Sequence, residues 1–275
     1  MKHTWIYFLL GGLITLYACN SNDEPELPKV KPEPRLSKVD SLALVKIYQA
    51  ADGDNWKNGK WNLKDFKTWT GISAYLDTIH NEYRVFELYV RATSEAHGTL
   101  SPSLGELTEL RYLTFTDANN ITGEIPKSIS KLVNLREMNI TNTSCSGGIP
   151  KEIFLLPQLK WINLYNNEKL GGELPQEIAL VEDPEAIFDF CNCGLSGKIP
   201  DNIKIRIVRL WYNKYTEFPF HYCLQEQTTL SMKHNFISGE IPDYILNNEK
   251  ALKALHIMTL NQLDGCTFSN APEWW

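Results

Sequence analysis

One four-residue pattern, Gly-x-Ile/Leu-Pro, returns along this chain at a nearly fixed interval. It stands at Gly123-Glu124-Ile125-Pro126, Gly147-Gly148-Ile149-Pro150, Gly172-Glu173-Leu174-Pro175, Gly197-Lys198-Ile199-Pro200 and Gly239-Glu240-Ile241-Pro242. The first steps are 24, 25 and 25 residues. Gly98 opens a degenerate copy 25 residues before Gly123, and Gly265 a late one 26 residues after Gly239. Between Gly197 and Gly239 lies a shorter, irregular copy through Phe218-Pro219. A unit this short cannot bury an apolar face alone, whereas stacked copies share one continuous core, so the period implies a solenoid.

Ahead of each pattern sits a Leu-x-x-Leu-x-Leu-like stretch: Leu110-Leu113-Phe115, Leu135-Met138-Ile140, Leu159-Ile162-Leu164, Ile207-Leu210-Tyr212 and Leu252-Leu255-Ile257, with degenerate copies at Phe188 and Leu230. The last two apolar positions alternate as in a short strand buried on one face. Asn119, Asn235 and Asn261, with Cys193 in the same place, lie four residues before a repeat glycine. An amide there can satisfy backbone groups that a sharp turn leaves unpaired. Ile121, Cys145, Leu170, Leu195, Ile237 and Leu263 follow two residues later as core positions, which makes Cys145 and Cys193 core and ladder residues. The irregular copy beside Trp211 is where an ideal curve is expected to break.

The Leu-x-Gly-x-Ile-Pro form resembles the plant-type leucine-rich repeats of receptor ectodomains and polygalacturonase inhibitors, which also occur in bacterial surface proteins. Asp40-Ser41-Leu42-Ala43-Leu44, Ala51-Asp52-Gly53-Asp54-Asn55-Trp56 and Trp61 look like the N-terminal cap of bacterial members. The resemblance covers residues 38–266, without the cysteine pair of plant caps. It implies an α/β fold: a right-handed leucine-rich-repeat solenoid with short parallel strands on its concave face and a small helical N-terminal cap. A helix is expected over Val39–Ala51, with Leu42, Val45 and Tyr48 or Gln49 at helical spacing and Ser37 as N-cap. Trp56 is expected to plug the first repeat. The expected divisions are 1–18, a lipoprotein signal peptide; 19–36, a proline-rich tether; 37–84, the cap; and 85–275, about seven repeats and an end covered by Pro272-Glu273-Trp274-Trp275.

The outward positions of each strand line the concave face. They read Glu87, Tyr89 and Arg91; Tyr112, Thr114 and Thr116; Glu137, Asn139 and Thr141; Trp161, Asn163 and Tyr165; Asp189 and Cys191; Arg209, Trp211 and Asn213; Ser231 and Lys233; His256 and Met258. Eight such strands span roughly 35–40 Å. Tyr, Trp and Arg dominate interface energetics, so the expected binding residues are Tyr89, Arg91, Tyr112, Trp161, Asn163, Tyr165, Arg209 and Trp211. The alternative is that the aromatics only cover their neighbours.

No catalytic constellation is visible. The histidines His3, His80, His97, His221, His234 and His256 sit in no nucleophile or metalloenzyme motif. Cys191-Asn192-Cys193 lacks the second pair that a zinc site needs. Asp52-Gly53-Asp54 fails as a calcium loop because Trp56 and Lys57 occupy its fifth and sixth positions. No metal and no cofactor is expected. A formal net charge of −6 argues against nucleic acid.

The N-terminus reads as a targeting signal. Lys2 precedes an apolar run from Trp5 to Leu16 that is shorter than the ~20 residues of a spanning helix. It ends in Leu16-Tyr17-Ala18-Cys19, which resembles a bacterial lipobox with Cys19 as the lipidated residue; an ordinary secretory cleavage near Ala18 is the alternative. A tether follows with Pro25, Pro28, Pro32 and Pro34. Its Asp23, Glu24 and Glu26 resemble the surface-export signals of Bacteroidetes lipoproteins. The expected protein is thus exported, held at the cell envelope by its lipid, most naturally at the outer membrane. It is non-catalytic and recognises an extracellular or host protein in adhesion. A glycan-binding accessory of polysaccharide uptake and a structural envelope component are the alternatives.

Overall fold

The main sheet of the computed structural model is built around a parallel ladder with one strand per coil. Residues 32–57, 59–225, 228–263 and 266–275 are described. The chain divides into two units, Met1–Glu33 and Pro34–Trp275. The signal, Cys19 and most of the tether lie outside the described residues. No helix among the described residues is long and apolar enough to cross a membrane.

The strands are β1 (Arg35–Leu36), β2 (Ile72–Asp77), β3 (Glu82–Arg91), β4 (Gly98–Thr99), β5 (Tyr112–Thr116), β6 (Ile121–Glu124), β7 (Glu137–Ile140), β8 (Ser144–Ser146), β9 (Trp161–Asn163), β10 (Ile187–Asp189), β11 (Ile207–Arg209) and β12 (Thr229–Ser231). Seven of them, β3-β5-β7-β9-β10-β11-β12, run parallel in that order. At the N-terminal end β2 folds back antiparallel on β3, and β1 adds in parallel. A second parallel sheet, β4-β6-β8, forms beyond the turn in the first coils. One residue pair per strand, such as Leu113 with Phe115 or Ile162 with Leu164, points inward and is buried. The repeat glycine then turns the chain with a left-handed φ, +80° at both Gly123 and Gly197, a region in which side-chain-bearing residues are costly. Proline follows, and 3₁₀ turns at 102–106, 127–131, 151–155, 176–180 and 220–224 close the coils on the far side.

Helix α1 (Lys38–Ala50) begins and ends one residue earlier than expected. Its buried face is Asp40, Ala43, Leu44, Ile47 and Tyr48, whereas Leu42 is 53% exposed and Val45 only partly covered. An apolar-only reading misses this face because an acid belongs to it. Asp40 is fully buried and accepts from Arg84 Nε at 3.1 Å and from the Val85 N–H at 2.9 Å, tying the helix to β3. Ser37 occupies the N-cap position without a side-chain cap bond. Trp56 is buried and meets Phe115 of the second ladder strand edge-on, as expected of a plug.

Three further expectations change. The Leu252-Leu255-Ile257 copy is helical: α2 (Asp243–Leu246) and α3 (Glu249–Met258) replace an eighth strand, so His256 and Met258 leave the concave face. The ladder therefore has seven parallel strands and spans six steps, roughly 29 Å. In the irregular copy the buried residues are Ile205, Val208 and Leu210, while Tyr212 is 49% exposed. The curve does not break beside Trp211: β10, β11 and β12 stay in register, Phe188 to Val208 to Leu230. The shortening falls on the far side, where this coil has no 3₁₀ turn. Tyr222 of the next coil fills the gap, its hydroxyl donating to Pro200 O at 2.7 Å and accepting from the Ile203 N–H at 3.0 Å.

The amide ladder also shifts. Asn167, Asn213 and Asn235 are buried and bridge successive coils; Asn213 Oδ1 accepts from Cys193 N at 3.1 Å and Leu195 N at 2.9 Å. Asn213 thus belongs to the ladder and not to the concave face. Asn119 and Asn261 are exposed, with Ala118 and Gln262 taking their places. In the longer coils an extra residue separates the ladder position from the glycine, so counting four back from Gly123 lands one residue too late.

Candidate functional site

Parallel pairing fixes which side chains share the open face of the main sheet. One row is Glu87, Tyr112, Glu137, Trp161, Ile187, Ile207 and Thr229, and the next is Tyr89, Thr114, Asn139, Asn163, Asp189, Arg209 and Ser231. Where the strands pass into the turn, the register continues as a third row through Arg91, Thr116, Thr141, Tyr165, Cys191, Trp211 and Lys233, as the backbone bonds Asn142 N to Tyr165 O, Asn166 N to Cys191 O and Tyr212 N to Lys233 O require, with Thr141 and Cys191 buried. All eight expected binding residues lie on this face.

They fall into two groups. Toward the N-terminal end the charges are already matched. Arg91 Nε lies 2.8 Å from Asp117 Oδ2, and Lys57 Nζ lies 3.7 Å from the same oxygen. The Arg91 guanidinium holds the Asp117 carboxyl below its ordinary range. Tyr89 stands exposed beside this cluster and Tyr112 is half-buried. Toward the C-terminal end aromatics prevail. Trp161 is 37% and Tyr165 47% exposed, and Asn163 Oδ1 accepts from the Tyr165 N–H at 3.0 Å. Arg209 lies 3.4 Å from Asp189. Trp211 donates its indole N–H to Ser231 Oγ, and Lys233 Nζ sits 5.4 Å from its ring centroid, within cation–π range.

Cys191 is buried beneath this group, not presented on the face. Burial, then its bond to Asp189, pushes its thiol up; burial alone does the same to Cys223, to about 12, and desolvation raises Cys193 to about 12. Thiols held protonated are poor nucleophiles and poor metal ligands. All five described cysteines are free, and no metal-holding group of three ligands occurs among the described residues.

A fourth row escaped the sequence reading. One residue per coil, two after the second strand apolar position, takes a left-handed φ: Asp117 (55°), Asn142 (55°), Asn166 (60°), Asn192 (52°), Tyr212 (56°), His234 (56°) and Asn261 (55°). Asn166 Nδ2 donates to Asn142 Oδ1 at 2.7 Å, and Asn192 Nδ2 to Asn166 Oδ1 at 2.6 Å. The amide chain then stops, and Tyr212 and His234 stack face to face, 4.3 Å between centroids and 3° between planes. Asn and Asp tolerate this backbone, whereas for a bulky residue it is strained by about 1–3 kcal/mol. The period of Asn142, Asn166 and Asn192 was the available signal.

No family model matches the sequence. Over 102 residues the chain is 37% identical to phytosulfokine receptor 1 of Arabidopsis thaliana, a match covering 37% of this chain and 10% of that receptor. Its structure resembles the PEPR1–AtPEP1 crystal structure at TM-score 0.59 and 22% identity, over 81% of this chain and 31% of that one. It also resembles a leucine-rich repeat protein of Bacteroides eggerthii at TM-score 0.52 and 19% identity, over 74% of this chain and 52% of that one. The fold is an α/β leucine-rich-repeat solenoid. What the fold offers chemically is the surface just described.

Proposed function

We propose that this chain is a cell-surface binding protein that holds a protein partner on the concave face of its repeats. The observation that carries this reading is the cluster of Trp161, Tyr165, Trp211 and Arg209 on a sheet whose strands are paired on both sides there. Rigid exposed aromatics beside an arginine supply contact area at small entropic cost, the composition of interface hot spots. The relative matched over 102 residues is named as a receptor, which agrees with recognition as the task of such a surface. Adhesion to a host or neighbouring cell is the role we favour. Cys19 carries the lipid that anchors the protein, at the outer membrane, with residues 20–35 as its tether.

Two substitutions test the surface. Cells displaying Trp161→Ala/Trp211→Ala should adhere to host extracellular matrix at least about 30-fold less tightly, the equivalent of one hot spot near 2 kcal/mol. Unchanged adhesion by a folded double variant sinks the concave reading. Cys19→Ser should release the protein into the soluble fraction and abolish labelling by a fatty-acid analogue.

A further inference from the structure

The two edges of the main sheet are finished differently. At the C-terminal edge α3 packs beside β12, and Met232 N and His234 N donate to Met258 O and Leu260 O. At the N-terminal edge β2 pairs with β3 alone. The backbone bonds around β3 show which groups of β2 face outward. Val85 N donates to Asp40 and Tyr83 O accepts from Ser37 N, so these two residues turn their main-chain groups away from β2. Ala74 and Leu76, their partners, therefore point their own N–H and C=O to the outer side. Tyr89 N donates to Gly71 O; alternation gives Leu88 the opposite sense and puts its partner Ile72 in the same outward set. No backbone bond from Ile72, Ala74 or Leu76 crosses that outer edge among the described residues.

The side chains of β2 leave this edge clear. Ser73 Oγ donates to Glu87 Oε2 at 2.6 Å, so it leans back over the sheet. The Tyr75 hydroxyl does the same, donating to Glu109 Oε2 at 3.2 Å, with the Arg111 guanidinium 5.8 Å from its ring centroid. Ile72 and Ala74 pack inward against the core, while Leu76 is 41% exposed and Ile79, in the turn that follows, 86% exposed. Proteins usually guard a free edge with lysine, proline or a bulge. Between Ile72 and Asp77 there is no Lys, Arg or Pro, and the one irregularity in the pairing places its extra residue, Phe86, on β3.

We propose that β2 is a dimerisation edge, to which the β2 of a second copy of this chain adds antiparallel. The outward set is symmetric about Ala74. A twofold axis there sets Ala74 against its own copy and Ile72 against the copy's Leu76, so every outward N–H meets an outward C=O. Side-chain sizes match as well: Ser73 faces the copy's Tyr75, and Ala74 leaves room at the axis. Asp77, the only charged residue of β2, lies opposite Gly71 of the copy and not opposite itself. The tether is a poor substitute for a second copy. Pro25, Pro28, Pro32 and Pro34 lack donors, and the β1 that follows them pairs with the other side of β3. A ladder of 6 residues spans roughly 20 Å. An interface that small gives a dissociation constant on the order of micromolar or weaker. Trp161 and Trp211 lie on β9 and just past β11, so this proposal and the concave reading fail separately.

The test follows the full chain by sedimentation equilibrium from about 1 to about 300 μM, with hydrogen exchange at both ends of that range. The parent should dimerise as concentration rises. The amides of Ile72, Ala74 and Leu76 should then gain protection, while those of Ser73 and Tyr75, which face β3, should not. Ala74→Pro removes only an outward donor, so it should weaken dimerisation about tenfold or more with Tm held. Leu76→Lys puts a guarding charge on an already exposed position and should weaken it comparably. Trp161→Ala/Trp211→Ala should dimerise as the parent does. The proposal is overturned if the parent stays monomeric throughout, or if dimers form without protecting those three amides. It is equally overturned if Leu76→Lys dimerises as well as the parent, or if the double tryptophan variant loses the dimer. Should Ala74→Pro lower Tm, Leu76→Lys decides in its place.

Discussion

The two ends of the solenoid close the same core in different ways. At the N-terminal end Tyr48, Trp56, Trp61 and Trp69 are all buried, with Tyr48 and Trp61 stacked at 5.1 Å and Trp61 and Trp69 at 4.8 Å. Each indole N–H has a carbonyl: Trp56 donates to Ala51 O at 2.8 Å, Trp61 to Thr70 O at 3.0 Å and Trp69 to Asn62 O at 2.6 Å. At the C-terminal end α3 covers the last strand, where Met232 N donates to Met258 O at 2.8 Å. Trp275 meets His256 edge-on at 4.8 Å and Phe268 at 5.7 Å, while Trp274 stays exposed. His256 Nδ1 is buried there without a hydrogen-bond partner. The first end buries its aromatic rings in the core; the second sends Leu252 and Leu255 of α3 into it but leaves Trp275 only partly covered. Native proteins open locally where fewest buried contacts hold a segment, so the C-terminal end should open first.

The largest effect should come from the N-terminal plug. Trp56→Ala removes a buried indole, its bond to Ala51 O and its contact with Phe115. The expected loss is about 3–5 kcal/mol, a fall of about 10 °C in Tm by thermal unfolding. Trp275→Ala removes a ring that is only partly buried, so about 1–2 kcal/mol should be lost. Hydrogen exchange should then quicken in α3 and leave α1 protected. Equal losses in the two variants, or exchange quickened first in α1, would show that the ends are equivalent.

These differences mark how far the sequence could be read. What repeats was legible: the period of the Gly-x-Ile/Leu-Pro pattern, the alternation that puts Trp161, Asn163 and Tyr165 on one face, and the buried Cys145 and Cys193. What depends on local competition was not. Leu252 and Leu255 are spaced three apart, which suits a strand motif and a helix turn alike. The helix wins because Asn248 caps it, accepting from the Ala251 N–H at 3.0 Å, and because Glu249 and Lys253 pair one turn apart. Asn119 missed the ladder because one inserted residue moves the count. The Arg91–Asp117 pair, which neutralises one end of the expected site, joins separate coils and has no local signature in the chain.

The smallest effect separates the ends by charge. In the β2–β3 turn at the N-terminal end, His80 Nδ1 lies 2.6 Å from Asp77 Oδ2. The hydrogen bond to Asp77, then its charge, raises the His80 pKa, while the same bond lowers that of Asp77. A histidine raised above its unfolded value of about 6.5 stabilises the fold fully below that pH and loses the contribution as pH rises through the folded value. The depressed carboxylate acts in the opposite sense, its contribution present above about pH 4 and lost as pH falls through the folded pKa. The pair is therefore strongest between the two. A proton NMR titration from about pH 5 to about pH 8 should give His80 a pKa above the reference, and Asp77→Asn should return it toward about 6.5. At the opposite end His256 has indoles and no carboxylate in ion-pair range among the described residues, so its resonances should not respond to Asp77→Asn. A His80 pKa unchanged by that substitution would remove the charge difference between the ends and leave burial alone to distinguish them.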